Sequence, residues 1–270
     1  MVTINSNYAA SFAANAAKQT QGDLNSAMEK LSTGKRINFA KDDAAGSAIA
    51  MRIAAEVSGL GIASRNASDG QSLIDTADGA LKETHAVLLR MRELAVQAQN
   101  GTLQTADKTA LGVEFDALEA EITRISDNTT WAGKKIIDGS FSTGTELKID
   151  VGAASPITHL IKDLDAAGLG FASAHTVAQA STIAVVDAAI ATLSGERAGL
   201  GAVSNRLGST VANLDQIRVN LSASKGRIED ADFAQETANL AKGQILQQAA
   251  TAMVAQANAS KSTVLTLLRG

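Results

Sequence analysis

Five leucines, Leu193, Leu200, Leu207, Leu214 and Leu221, recur at seven-residue intervals, with Val203 and Ile217 at the complementary position of the same repeat. No other feature restricts the fold as much. A sustained period of seven lines these side chains along one helical face and predicts supercoiled packing against other helices. Gly195, Gly199, Gly201 and Gly208 share the segment. Each weakens an isolated helix by about 1 kcal/mol, so this helix depends on its neighbours. A stripe of the same spacing precedes it: Ile74, Leu81, Leu88 and Ala95, with Ala77, Thr84, Met91 and Ala98 between them. Another runs through Leu111, Phe115, Leu118, Ile122 and Ile125. Gly101 and the polar residues up to Lys108 supply the turn between those two helices.

The chain ends pose a different problem. Leu246, Ala250, Met253, Ala257, Val264 and Leu268 follow helical spacing almost to the last residue. At the other end Ile4, Tyr8, Phe12 and Ala16, then Leu24, Met28 and Leu31, do the same. Terminal residues ordinarily fray unless something ties them down, so two amphipathic terminal helices each need a cover. Composition limits how much of that cover one chain can supply. Hydrophobic residues make up 45% of the chain but aromatics only 3%. Alanine accounts for much of the difference, and it favours helix while adding little burial. The only proline is Pro156. The expected fold is mainly α, a long-helix coiled coil or bundle made from both chain halves. A small β-hairpin-rich segment sits in the middle, where ELKIDV alternates between Gly-, Ser- and Thr-rich stretches.

Chemistry is sparse. His85, His159 and His175 stand at no metal-ligand spacing, and TGKR at 33–36 lacks the first glycine and the hydroxyl residue of a phosphate loop, having Glu29 and Arg36 there instead. Asp42, Asp43, Glu229, Asp230 and Asp232 lie beside Lys41, Arg36 and Arg227, a pattern that points to capping and ion pairs. The sequon at 128–130 has no secretory signal before it. We expect no catalytic residue, no cofactor site and no metal site, and so no enzyme. A net charge of −4 without a basic block argues against nucleic acid. No uninterrupted run of 18 apolar residues suggests a membrane span. Export would need a route without a cleaved signal.

Several long motifs then occur in order: LSTGKRINFAKDDAAGSAIA (31–50), RMRELAVQAQN (90–100), RIEDADFAQE (227–236), ILQQAATAMVAQAN (245–258) and the tail VLTLLRG. Together they closely resemble the bacterial flagellin family, in a short form without large outer domains. The resemblance implies three regions: 1–40 with 232–270 as a terminal inner coiled coil, 41–135 with 176–231 as a helical core, and 136–175 as a short β-rich outer segment. It implies a structural subunit that polymerises into the helical, extracellular filament of the bacterial flagellum and serves motility. The alternative is a hook–filament junction or cap-like secreted protein. It further implies unfolded export through the flagellar type III apparatus. Implied partners are other copies of the chain, alone or mixed with other flagellins, a flagellar secretion chaperone, and the filament cap and hook-junction proteins. Self-assembly would engage Ile4, Tyr8, Phe12, Leu246, Met253, Val264, Leu267 and Leu268. Arg90, Leu94 and Glu114 match the segment recognised by the animal Toll-like receptor for flagellin, with Leu89 where glutamine is common.

Overall fold

The computed structural model describes residues 6–140, 147–152, 156–171 and 177–269, with the side chains of residue 180 and of residues 262–269 outside that description. Five helices carry the fold: α1 (Tyr8–Thr33), α2 (Ala44–Ala98), α3 (Thr105–Asn128), α4 (Ala180–Glu229) and α5 (Phe233–Arg269). Two small antiparallel hairpins lie between α3 and α4: β1 (Thr130–Trp131) with β2 (Lys134–Lys135), and β3 (Leu147–Ile149) with β4 (Ile157–His159). The mainly α architecture expected from the sequence is the one observed. The chain divides into two compact units, residues 1–57 with 220–270, and residues 58–219.

Polar residues define the helix ends. Asn7 Oδ1 accepts from Ala10 N at 3.1 Å to open α1, and Gly34 closes it in the left-handed region at φ 71°, its N–H donating to Lys30 O. Asp43 Oδ1 accepts from Gly46 N at 2.8 Å at the start of α2. Asp232 Oδ1 accepts from Ala234 N and Gln235 N at the start of α5. Asn7, Asp43 and Asp232 satisfy amides that the first helical turn leaves unpaired, and Gly34 satisfies a carbonyl of the last turn. Residues 225–236 are mostly helix; α4 runs to Glu229 and only Asp230, Ala231 and Asp232 separate it from α5.

In the unit of residues 58–219, Leu193, Leu200, Leu207 and Leu214 of α4 are buried in one core with Ile74, Ala77, Leu81, Leu88, Met91 and Ala95 of α2. Phe115 and Ile122 of α3 join it. Polar rungs fix the register of α2 and α4: Arg197 bonds Asp78 at 2.7 Å, Arg92 bonds Asp187 at 2.6 Å, and Gln71 Nε2 donates to Ser204 O at 3.3 Å. As the α2 number rises the α4 number falls, so the pair is antiparallel. The β3–β4 hairpin lies across both helices, seated at two glycines. A Cβ on Gly70 of α2 would stand 2.4 Å from Ile149 Cδ1, and one on Gly199 of α4 would stand 3.1 Å from His159 Cε1. Asn66 Nδ2 fastens the strand end by donating to Asp150 O at 3.1 Å.

α2 also contains an 18-residue window of mean hydropathy 1.2, so by length and composition alone it is long and apolar enough to cross a membrane. That measure averages over charges, whereas the sequence reading counted uninterrupted apolar runs; Arg52, Glu56 and Arg65 interrupt α2.

Candidate assembly interface

In the unit that holds both chain ends, α1 and α5 form an antiparallel pair whose Cα atoms approach within 8 Å of one another. The residues turned into the seam explain so close an approach. On α1 they are Ala10, Ala13, Ala17, Thr20, Leu24 and Ala27, spaced alternately three and four apart. On α5 they are Leu240, Gly243, Gln247, Ala250, Val254 and Ala257, with the same alternation. This is the spacing of a coiled-coil seam, filled mostly by small side chains. A Cβ on Gly243 would meet Leu24 Cβ at 3.5 Å.

Polar contacts set the register. Asn7 Nδ2 donates to Ala257 O and to Asn258 Oδ1, both at 3.2 Å; Gln247 Nε2 donates to Gln21 Oε1 at 3.0 Å; Lys30 pairs with Glu236 at 3.4 Å. Gln247 Oε1 is buried and accepts no hydrogen bond. An open groove of about 330 Å³ runs along the pair beside Asp23, Lys30, Glu236 and Lys242. Where the two helices begin to separate into α2 and α4, the connections are joined. Lys35 bridges Asp230, Arg36 N donates to Glu229 O at 2.6 Å, Ala231 N donates to Gly34 O at 3.0 Å, and Arg36 Nη2 donates to Ile228 O at 2.8 Å. Asp42 accepts from Asn38 N and Phe39 N. The Phe39 amide is the main cause holding its carboxyl below the ordinary carboxylate value, against a smaller opposing effect of burial.

This seam covers Leu24, Leu240 and Val254 in part and leaves other large apolar residues of the pair outside. Tyr8, Phe12, Ile245, Leu246 and Met253 are exposed, Phe12 by 79% and Met253 by 64%. Within α1 the fully covered side chains are only Ala13 and Ala27. Of the residues expected to drive self-assembly, Tyr8, Phe12, Leu246 and Met253 therefore stand on the outer faces of the pair. Ile4 and the side chains of Val264, Leu267 and Leu268 lie outside the described residues. The sequence stripes named Leu24, Ala250 and Ala257 of the seam but not Ala10, Ala13, Ala17 or Ala27, because a stripe scored by hydrophobicity follows the larger residues.

The receptor-like residues separate by burial. Arg90 of α2 bonds Glu114 of α3 at 2.8 Å and Glu93 at 3.1 Å, on an exposed face. The Glu114 bond, then the Glu93 bond, raise the guanidinium above its usual value. Leu94 is fully buried in the core beneath them, while Leu89 is exposed. The acidic residues at the connections act as caps and ion-pair partners, Glu229 pairing with Lys35 and Lys225. No group of three or more potential metal ligands comes together among the described residues.

Two comparisons of sequence and one of structure place this arrangement. Residues 4–142 match the bacterial flagellin N-terminal helical region, and residues 183–268 match the bacterial flagellin C-terminal helical region. A flagellin of Halalkalibacterium halodurans is 45% identical over 90% of this chain and 91% of its own length; a flagellin of Bacillus subtilis is 41% identical over 98% and 99%. The structure of a putative flagellar hook-associated protein from Vibrio parahaemolyticus, 14% identical, shares the fold alone, with a TM-score of 0.59 over 70% of this chain and all of that one. With both helical ends matched and near-full-length relatives above 40% identity, the chain belongs to the bacterial flagellin family.

Proposed function

We propose that this flagellin polymerises through the outer faces of its α1–α5 pair, with residues 1–40 and 232–270 forming the inner layer of the filament. The protein is a structural subunit of the extracellular flagellar filament and not an enzyme, and the hook-junction or cap-like alternative is not favoured. The observation that carries the proposal is the mismatch between seam and surface. An alanine-lined seam contributes little burial per residue, and two helices of this kind barely offset their ordering entropy. Tyr8, Phe12, Leu246 and Met253 meanwhile remain uncovered. Large apolar residues left exposed together on one helix pair mark an interaction surface, and the occupant that a homopolymer supplies is another copy of the same pair. The region 41–135 with 176–231 then forms a helical layer around it, and 136–175 faces outward.

The same imbalance supports the finer expectations. Ends that gain most of their burial only on assembly suit unfolded export through the type III apparatus, and a secretion chaperone would cover α5 beforehand. The cap and hook-junction proteins would meet the terminal pair at the two filament ends. Toll-like receptor recognition would rest on the exposed Arg90–Glu114 pair, with Leu94 contributing by packing from below.

The test is seeded elongation of a Phe12→Ala, Met253→Ala double variant and of a chain lacking residues 262–270, each beside the parent. Both should keep the monomer's melting transition and fail to elongate. Filaments of normal yield and stability from either would overturn the assignment of these faces to assembly.

A further inference from the structure

Asn100–Gly101 is the only place in the chain where an asparagine precedes a glycine, and it falls in the exposed turn between α2 and α3. We propose that it is a site of spontaneous modification, where the side-chain amide of Asn100 is lost to cyclisation on the neighbouring backbone. Three features of the turn favour the reaction. Thr102 N donates to Asn100 Oδ1 at 3.1 Å, which polarises the side-chain carbonyl and holds it folded back over the backbone that follows. The nucleophile, the Gly101 amide nitrogen, makes no hydrogen bond among the described residues. A Cβ at Gly101 would meet nothing within 4 Å, so neither packing nor a side chain hinders the approach, and glycine leaves the backbone free to reach the attacking geometry.

The chemistry balances with water alone. The Gly101 nitrogen loses its proton to solvent and attacks Asn100 Cγ, forming the N–C bond of a five-membered succinimide. The Cγ–Nδ2 bond breaks, and the amide leaves as ammonia after taking up a proton. Water then adds at one of the two imide carbonyls. Opening at one side gives aspartate, and opening at the other gives isoaspartate, with the main chain running through the former side chain. Asparagines inside helices lack this route, because the following N–H is committed to the helical ladder. Asn66 in α2 and Asn205 in α4 are such controls within the same molecule.

The product differs from the parent in two respects. It carries a new negative charge just beyond the end of α2, whose last turn holds no basic residue; that is the unfavourable end of the helix dipole for an anion. As isoaspartate it also lengthens the main chain within a turn held by Asn100 N to Gln97 O at 3.1 Å and Leu103 N to Asn100 O at 3.3 Å. Those bonds should loosen.

The experiment incubates the purified full-length protein in mildly alkaline buffer and follows each asparagine by peptide mass spectrometry, with fragmentation that separates aspartate from isoaspartate. Asn100 should convert at least about tenfold faster than Asn66 or Asn205, and Gly101→Ala should slow it about tenfold by restricting the backbone. Asn100→Gln should abolish conversion at that position. Hydrogen exchange of the turn should rise as the parent converts and stay constant over the same incubation in Asn100→Gln. Conversion at Asn100 no faster than at the helical asparagines, or unaffected by Gly101→Ala, would overturn the proposal.

Discussion

The pairs α1–α5 and α2–α4 share one geometry and differ in what fills it. Both are antiparallel, both repeat every three and four residues, and both are pinned by polar rungs, Gln21–Gln247 in one and Asp78–Arg197 in the other. The α2–α4 seam is built from Leu193, Leu200, Leu207 and Leu214 against Ile74, Leu81 and Leu88, with α3 and a hairpin closing its remaining sides. The α1–α5 seam is built mostly from small residues, Ala13, Ala17, Ala27, Gly243 and Ala250, with Leu24, Leu240 and Val254 between them, and Tyr8, Phe12, Leu246 and Met253 look outward. Side-chain size, not periodicity, decides which pair is complete within one chain. A leucine seam buries enough to stand in a monomer; a seam rich in alanine brings backbones together and leaves larger apolar residues exposed.

The sharpest break in that comparison is Leu207→Ala. Leu207 is fully buried in mid-series, and its truncation should lower monomer stability by roughly 2–5 kcal/mol in a denaturant titration. A variant that unfolds like the parent would remove the distinction between a finished pair and an unfinished one. Next in size is the hairpin seat. Gly70→Ala would drive a Cβ into Ile149 at 2.4 Å, and overpacking of this kind costs about 1–3 kcal/mol. Gly59→Ala, also in α2 with nothing within 4 Å of the added atom, should instead stabilise by about 0.5–1 kcal/mol. The opposite signs should appear as opposite shifts in melting temperature, and equal shifts would mean that the hairpin is not seated at Gly70.

The smallest expected effect concerns Asp42. Its carboxyl is held below the ordinary value chiefly by the Phe39 amide. A lowered carboxylate contributes stability that is present above the unfolded value, about 3.9, and is lost as pH falls through the folded one. Asp42→Ala should therefore speed exchange of the Asn38 and Phe39 amides at neutral pH, and the difference from the parent should vanish in strong acid. A difference that persists there would assign the effect to something other than this charge.

These contrasts also show which parts of the molecule the sequence made legible. The leucine heptad and the Ile74–Ala98 stripe were readable because large side chains mark the phase of a helix as well as its period, and those residues are the ones buried. Leu221 is only partly buried, at the point where the repeat passes into the other compact unit. The phase of the terminal helices was harder to read. Hydrophobicity ranks Tyr8 and Phe12 above Ala13 and Ala27, so the α1 side of the inner seam is hidden among alanines that occur on every face. The seats at Gly70 and Gly199 carried no signal at all, since a glycine in a helix is informative only once the residue lying against it is known. The ion pair of Arg90 and Glu114 across α2 and α3 and the burial of Leu94 both depend on helix phase and emerged only in the fold.

The junction at Gly34–Arg36 and Glu229–Ala231 has a consequence for the speed with which the ends come together. Asn7 and Asn258 are 251 residues apart in sequence, and a contact between such distant residues in an unfolded chain would close a very large loop and form slowly. Once Arg36 N holds Glu229 O, that loop is already closed. Each further rung, Lys30 to Glu236, then Gln21 to Gln247, then Asn7 to Asn258, adds only a short stretch on either side of the one before it. The terminal helices can thus zip from the junction outward in a series of local steps, as a hairpin does, although by sequence distance these are the longest-range contacts among the described residues.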